Sequence, residues 1–119
     1  DESNYCGVTA DSSGNVYAVG SQYGTGDFNY GNSQTVSANG TGPNSVIVRY
    51  DTLGTTQSVR SVVDGGDYSE FSSAVTDSFG RIYAVGYQNG SYTYVYETGV
   101  TAASINAGSN NVVIVKYAE

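Results

Sequence analysis

Few residues in this chain have the types and spacing that chemistry requires. Among its 119 residues there is no His and a single Cys. Without imidazole the chain lacks both a base that titrates near neutrality and the usual zinc ligand set. Cys6 has Glu2 and Asp11 as its nearest charges in sequence, whereas a reactive thiolate needs a cationic neighbour. It reads as a small strand residue facing the core, with an intermolecular disulfide or a lipidated or reactive thiol as the alternatives. One cysteine also excludes an intrachain disulfide. Two carboxylate pairs, Asp64 with Asp67 and Asp27 with Glu97, could meet on folding. A glycosidase pair would need one of them raised in pKa inside a cleft, and Asp64-Gly65-Gly66-Asp67 reads first as a turn. The segment Asp11-Ser12-Ser13-Gly14-Asn15 offers oxygens of the kind calcium takes. Its second occurrence, Asp77-Ser78-Phe79-Gly80-Arg81, puts Phe and Arg at two of those positions, which favours a turn. The chain is therefore expected not to be an enzyme and to use no metal or cofactor.

The twelve tyrosines are the other chemical resource. Tyr17, Tyr50, Tyr83 and Tyr117 recur in register and read as packing residues. Tyr23, Phe28, Tyr30, Tyr87, Tyr92, Tyr94 and Tyr96 lie in or beside two Tyr/Gly-rich segments. Tyr presents a large face and a polar tip at low entropic cost, which suits interfaces and sugar stacking. Three roles stay open for this second group: subunit or domain contact, packing within a hairpin, and ligand binding. Asn39-Gly40-Thr41 and Asn89-Gly90-Ser91 fit the glycan-acceptor pattern, which is short enough to arise by chance.

The elements that must position these residues are repeated. Asp11-Ser12-Ser13-Gly14-Asn15-Val16-Tyr17-Ala18-Val19-Gly20 returns as Asp77-Ser78-Phe79-Gly80-Arg81-Ile82-Tyr83-Ala84-Val85-Gly86, displaced by 66 positions. Asn44 to Tyr50 returns as Asn111 to Tyr117, displaced by 67. Self-similarity at a long fixed period marks a repeat architecture. Residues 1–66 form one unit and 67–119 a second. Runs rich in β-branched and aromatic residues, bounded by Gly, Asn, Asp and Ser, place strands at Cys6 to Ala10, Asn15 to Gln22, Ser45 to Asp51 and Thr56 to Val63. Short turns at Asp11 to Asn15 and Asp51 to Gly54 make these an antiparallel meander. The apolar run Val46-Ile47-Val48 suits a middle strand covered on both faces. Inserts Tyr23 to Pro43 and Asn89 to Asn110 each read as an extra hairpin projecting from the sheet, and such decorations are where binding is to be sought. The second unit has no counterpart of Thr56 to Val63. Its last strand, with Val112, Val113, Ile114 and Val115, is thus expected to expose an edge that invites another strand.

Charge narrows the partners. Eleven acids against Arg49, Arg60, Arg81 and Lys116 give a net charge of −7. That repels phosphate backbones and anionic lipid surfaces, so neither nucleic acid nor a membrane surface is an expected partner. No apolar run reaches the ~20 residues of a membrane span. The chain starts at Asp1 without Met, which reads as a processed or excised segment of a longer product.

The pattern Val-x-Asp-x-x-Gly-Asn-Val-Tyr-x-x-Gly followed by Val-Ile-Val-Arg-Tyr-Asp-x-x-Gly resembles the bacterial β-propeller repeat of the SBBP type, related in layout to NHL repeats. Asp11, Gly14, Asn15, Val16, Tyr17, Gly20, Val46 to Asp51 and Gly54 carry it in the first unit. Asp77, Gly80, Ile82, Tyr83, Gly86 and Val113 to Tyr117 carry it in the second. The resemblance implies an all-β fold of four-stranded meander blades in a secreted or surface-attached protein. It departs in its long inserts and in having about two units where a closed ring has ~4–8 blades. The expected function is a non-enzymatic extracellular scaffold, joined to other copies of itself or to the rest of a longer parent in a ring or filament. The alternative is a lectin-like module that stacks glycans on the insert tyrosines.

Overall fold

The structure, a computed structural model, describes residues 2–40, 42–66, 68–90, 92–106 and 108–118. Among the described residues there are eleven strands and no helix. The first sheet has the order β1 (Glu2–Ala10), β2 (Val16–Tyr23), β5 (Asn44–Tyr50), β6 (Thr56–Ser61). The second has the order β7 (Ser69–Thr76), β8 (Ile82–Asn89), β11 (Asn110–Tyr117). Two hairpins complete the molecule: β3 (Asp27–Asn29) with β4 (Thr35–Ser37), and β9 (Thr93–Glu97) with β10 (Val100–Ala103). All pairings are antiparallel. The fold is all-β, in small separate sheets rather than a ring closed by the described residues.

One turn, used three times, sets the strands. Asp11 Oδ1 accepts the backbone N–H groups of Ser13 (2.9 Å) and Asn15 (3.0 Å). Asp51 does the same for Leu53 and Thr55, and Asp77 for Phe79 and Arg81. The turn needs a residue at positive φ, and Gly14 (87°) and Gly80 (80°) supply it without a Cβ penalty. The repeat extends to irregularities: β1 carries a bulge between Tyr5 and Gly7, and β7 carries one between Phe71 and Ser73. Cys6 sits in the first of these bulges and is exposed, contrary to the expectation of a core-facing thiol. The extra residue breaks the in–out alternation that would have turned it inward.

Directly paired residues share a face of a sheet, so the register defines two faces for each unit. The front carries Tyr5, Val8, Ala18, Gln22, Val46, Val48 and Tyr50 in the first sheet. In the second it carries their counterparts Phe71, Ala74, Ala84, Gln88, Val113, Val115 and Tyr117. The back carries Gly7, Thr9, Tyr17, Val19, Ile47 and Arg49, matched by Ser73, Val75, Tyr83, Val85, Ile114 and Lys116. The back of the first sheet packs on the front of the second, and that joint is the core. Tyr17, Val19, Ile47 and Val62 meet Phe71, Ala74, Ile82, Ala84, Val113, Val115 and Tyr117 there. The run Val46-Ile47-Val48 is buried on both faces of its middle strand, as its composition requires.

Two expectations are corrected by this packing. The β9–β10 hairpin does not project: Val63 N–H donates to Val95 O and Val95 N–H to Asp64 O (both 2.8 Å), which ties β9 to the chain leaving β6. Tyr94 and Tyr96 enter the core as a result. The last strand has a free edge among the described residues, but only Val112 and Ile114 face outward; Val113 and Val115 are buried. Alternation at period two, with one face on the core, divides the four. No described helix is long and apolar enough to cross a membrane.

Candidate functional site

The inserts are anchored by a device the repeats share. Tyr96 Oη donates to Gln88 Oε1 at 2.8 Å, and Tyr30 Oη donates to Gln22 Oε1 at 2.6 Å. Both glutamines are buried on the front faces, at matching positions of β8 and β2. In the second unit the Gln88 amide also donates to Ala102 O (3.0 Å) and Ser104 Oγ (2.8 Å). At the place of Ser104 the first unit has Ala38, and the buried Gln22 Nε2 has no hydrogen-bond partner among the described residues. Tyr94 Oη lies 2.7 Å from Asn89 O and 2.9 Å from Tyr68 O. Its counterpart Phe28 has no hydroxyl. The second hairpin is thus held through Tyr94, Tyr96 and the Gln88 amide, and the first through Tyr30, a bond from Thr56 Oγ1 to Tyr30 O (2.6 Å) and one from Asn32 Nδ2 to Thr56 O (2.8 Å).

An aromatic triad sits on each front face. In the second unit Phe71 stacks on Tyr96 (5.7 Å) and meets Tyr117 edge-on (6.2 Å), and all three rings are buried. Arg60, from β6 of the first sheet, lies 5.5 Å over the Tyr117 ring, donates to Ala118 O (3.0 Å) and pairs with Glu97 (3.5 Å). Burial pushes the Tyr96 and Tyr117 hydroxyls well above the ordinary tyrosine range. In the first unit the triad is Tyr5, Tyr30 and Tyr50. Tyr5 and Tyr30 are 6.4 Å apart, and the Tyr5 and Tyr50 hydroxyls are 2.6 Å apart. Here Tyr5 is 44% exposed and Val8 is 67% exposed. Ser3, Asn4, Tyr5 and Tyr30 line an open hollow of about 130 Å³.

The back of the second sheet is the other open surface. Val75, Val85 and Ile114 are exposed, and Val112 is 94% exposed. At its upper end Tyr87 stacks on Tyr68 (5.9 Å) and donates to Glu70 Oε2 (3.0 Å). Burial, then the bonds to Tyr68 and Glu70, push the Tyr87 hydroxyl upward. The molecule therefore ends in two apolar faces, a front and a back, either side of a joint made of one back and one front.

The residues singled out from sequence divide accordingly. Tyr94 and Tyr96 are walled into the core, so neither ring can stack on a ligand. Tyr30 and Phe28 are half-buried, Tyr87 lies on the open back face, and Tyr23 and Tyr92 are exposed. Asn39 donates to Gly66 O (3.2 Å) and Asn89 to Asn110 Oδ1 (2.9 Å); Thr41 and Ser91 of their acceptor patterns lie outside the described residues. Asp27 accepts from Ser37 (2.7 Å) while Glu97 pairs with Arg60, so these carboxylates serve separate partners. Asp67, and with it the Asp64 pair, lies outside the described residues. Cys6 Sγ is 3.7 Å from Glu70 Oε1, and desolvation together with that carboxylate pushes the thiol up, away from thiolate reactivity. Among the described residues no group of three His, Cys, Asp or Glu is placed to hold a metal. Sequence reasoning missed Gln22, Gln88, Tyr5 and Arg60. Three of them were within reach, because the offset of 66 joins Gln22 to Gln88, Tyr30 to Tyr96 and Tyr5 to Phe71.

No family model matches the chain, and no curated protein matches it.

Proposed function

We propose that this chain is a non-enzymatic scaffold module of propeller-type blades, working outside the cytoplasm and joined to further repeats in a ring or filament. Those repeats come from other copies of the chain or from the rest of a longer parent. One observation carries the reading: the joint between the two units is head-to-tail, back on front, and leaves an unused front at one end and an unused back at the other. Such a joint is heterologous and extends itself, closing into a ring if the rotation allows and running on as a filament if not. The free edge of β11 supports the same reading, because β6 pairs with β5 at the corresponding edge of the first sheet. Solution mass tests it. Concentration-dependent assembly above 12.4 kDa supports a scaffold built from copies. A chain that stays monomeric up to ~1 mM concentration would refute that form of it.

A carbohydrate-binding reading has one specific support, the hollow at Ser3, Asn4, Tyr5 and Tyr30 beside the unpartnered Gln22 amide. It would use Tyr5 and Tyr30 rather than Tyr94 and Tyr96. A glycan array probed with wild type and Tyr5→Ala tests it, and equal signals from both would end it.

A further inference from the structure

The back of the second sheet has a template for its own partner within the same molecule. We propose that it docks the front of the first sheet of a second copy, in the register of the intrachain joint, with Val75 over Ala10 and with Tyr83 and Ile114 over Val16. This rests on the scaffold reading above and names its partner and contact.

The intrachain joint sets the correspondence. Thr9 Oγ1 lies 3.4 Å from Thr76 Oγ1, and Thr76 donates to Ala10 O at 2.7 Å. Carried forward by 66 residues, Thr9 becomes Val75; carried back, Thr76 becomes Ala10. A polar pair is thus replaced at both members by an apolar pair, which leaves no hydroxyl stranded when the two faces meet. Lower on the joint, Tyr17 and Ile47 border Ile82 around one small cavity. The corresponding residues are Tyr83 and Ile114 on the open back and Val16 on the open front, so aromatic and aliphatic partners are kept. The faces left at the two ends have exposed apolar residues where the joint is dry: Val75, Val85 and Ile114 on one, and on the other Tyr5 and Val8 of the outer strand, with Val46 and Val48 of the middle strand already buried.

Two substitutions make the contact between copies weaker than the one within a chain. A Cβ at Gly7 would lie 2.9 Å from Ser73 Cα, and glycine is what permits that approach. The counterpart of Gly7 on the open back is Ser73 itself, so its Cβ must be accommodated by a slightly wider approach. Ser45 and Ser69, whose hydroxyls lie 3.2 Å apart across the joint, correspond to Val112 and Ser3. Charge opposes association as well. Two molecules of net charge −7 repel, and added salt screens that repulsion while leaving the apolar contact intact.

The test combines loss, gain and trapping. Sedimentation velocity of the full chain over a dilution series should show self-association that strengthens with salt. Ile114→Asp and Val75→Asp, both on exposed positions, should each weaken it by more than ~30-fold with the thermal unfolding transition retained. Ser73→Gly should strengthen it. In a Cys6→Ser background, Ala10→Cys with Val75→Cys should give oxidised ladders of dimer, trimer and higher, because the two side chains leave one molecule by opposite faces, Ala10 on the front of the first sheet and Val75 on the back of the second. Association that is unchanged in both Asp variants and gives no ladder would overturn this docking while leaving assembly itself in place. A wild type that is monomeric at every concentration and salt would overturn both.

Discussion

Tyr5, Tyr30 and Tyr50 occupy the positions of Phe71, Tyr96 and Tyr117, yet the first triad is partly open and the second is buried. The strands, bulges and glutamine anchors beneath them correspond, so local sequence does not explain the contrast. The difference lies in what stands in front. The second triad faces the back of the first sheet and takes Arg60 over Tyr117, whereas the first triad lies outside that core and leaves Tyr5 44% exposed. Burial is delivered by the neighbouring unit. Residue choice follows: Phe71, fully enclosed, has no hydroxyl to satisfy, while Tyr5 keeps one and bonds it to Tyr50.

The largest break in the comparison comes from truncating its two arms. Phe71→Ala should cost about 3–5 kcal/mol of unfolding free energy, the usual range for an enclosed aromatic. Tyr5→Ala should cost about 1 kcal/mol, because much of that ring is already wet. Denaturant titration of the two variants reads the difference, and equal losses would mean that the first triad is covered in solution.

The glutamine anchors sharpen the contrast at a smaller scale. Gln88→Leu strands the Tyr96 hydroxyl and the acceptors at Ala102 and Ser104, with an expected loss of about 2 kcal/mol in thermal or urea unfolding. Gln22→Leu also frees Tyr30 but removes a buried amide that had no partner. It should cost less than half as much.

How much of this was legible in the sequence depended on the range of the interaction. The repeat, its turns and its strands were readable because Asp11 and Asp77 close turns with their own neighbours, and because Val46, Ile47 and Val48 need cover on both sides. The free edge of β11 followed from the unmatched Thr56 to Val63. What was not legible is which face meets which. Tyr94 and Tyr92 stand two residues apart in one alternating run, but one is enclosed and the other open. The β9–β10 hairpin folds back on the chain after β6, a contact made between units. Cys6 was misplaced because a bulge, invisible in residue types, shifts the alternation by one.

The turns give a pH test of the comparison. At Asp77, partial desolvation pushes the carboxyl up, but the backbone N–H and guanidinium of Arg81 and the Phe79 N–H outweigh it and hold the group at about 2. Arg81 Nε is 2.6 Å from Asp77 Oδ2. At Asp11 the Asn15 side-chain amide is the chief lowering influence, and the Arg49 guanidinium adds a smaller one from outside the turn. Both carboxyls are held below their unfolded value, so their stabilisation is complete above the ordinary carboxylate range near ~4 and fades as pH falls through it. NMR titration should find Asp77 titrating near 2, and Arg81→Ala should raise it. The alkaline side runs the other way. Tyr96 and Tyr117 are raised above the unfolded value near ~10, so their contribution is whole below that pH and is lost as pH climbs beyond it. Spectrophotometric titration should show a set of tyrosines that ionise only with unfolding.

The smallest effect expected is at the β11 edge. A peptide with the sequence of residues 55–63 should pair with β11 as β6 pairs with β5, weakly and with induced amide protection on Val113 and Val115. Protection that appears elsewhere, or not at all, would remove the edge from the account.

One measurement bears on the whole most directly: the solution mass of the unmodified chain, followed by sedimentation from ~1 µM to ~1 mM. The expected result is a mass that climbs from 12.4 kDa through successive multiples without halting at the dimer, or settles on one closed ring. A mass of 12.4 kDa throughout, with Val75, Ile114 and Val8 left in water, would contradict it.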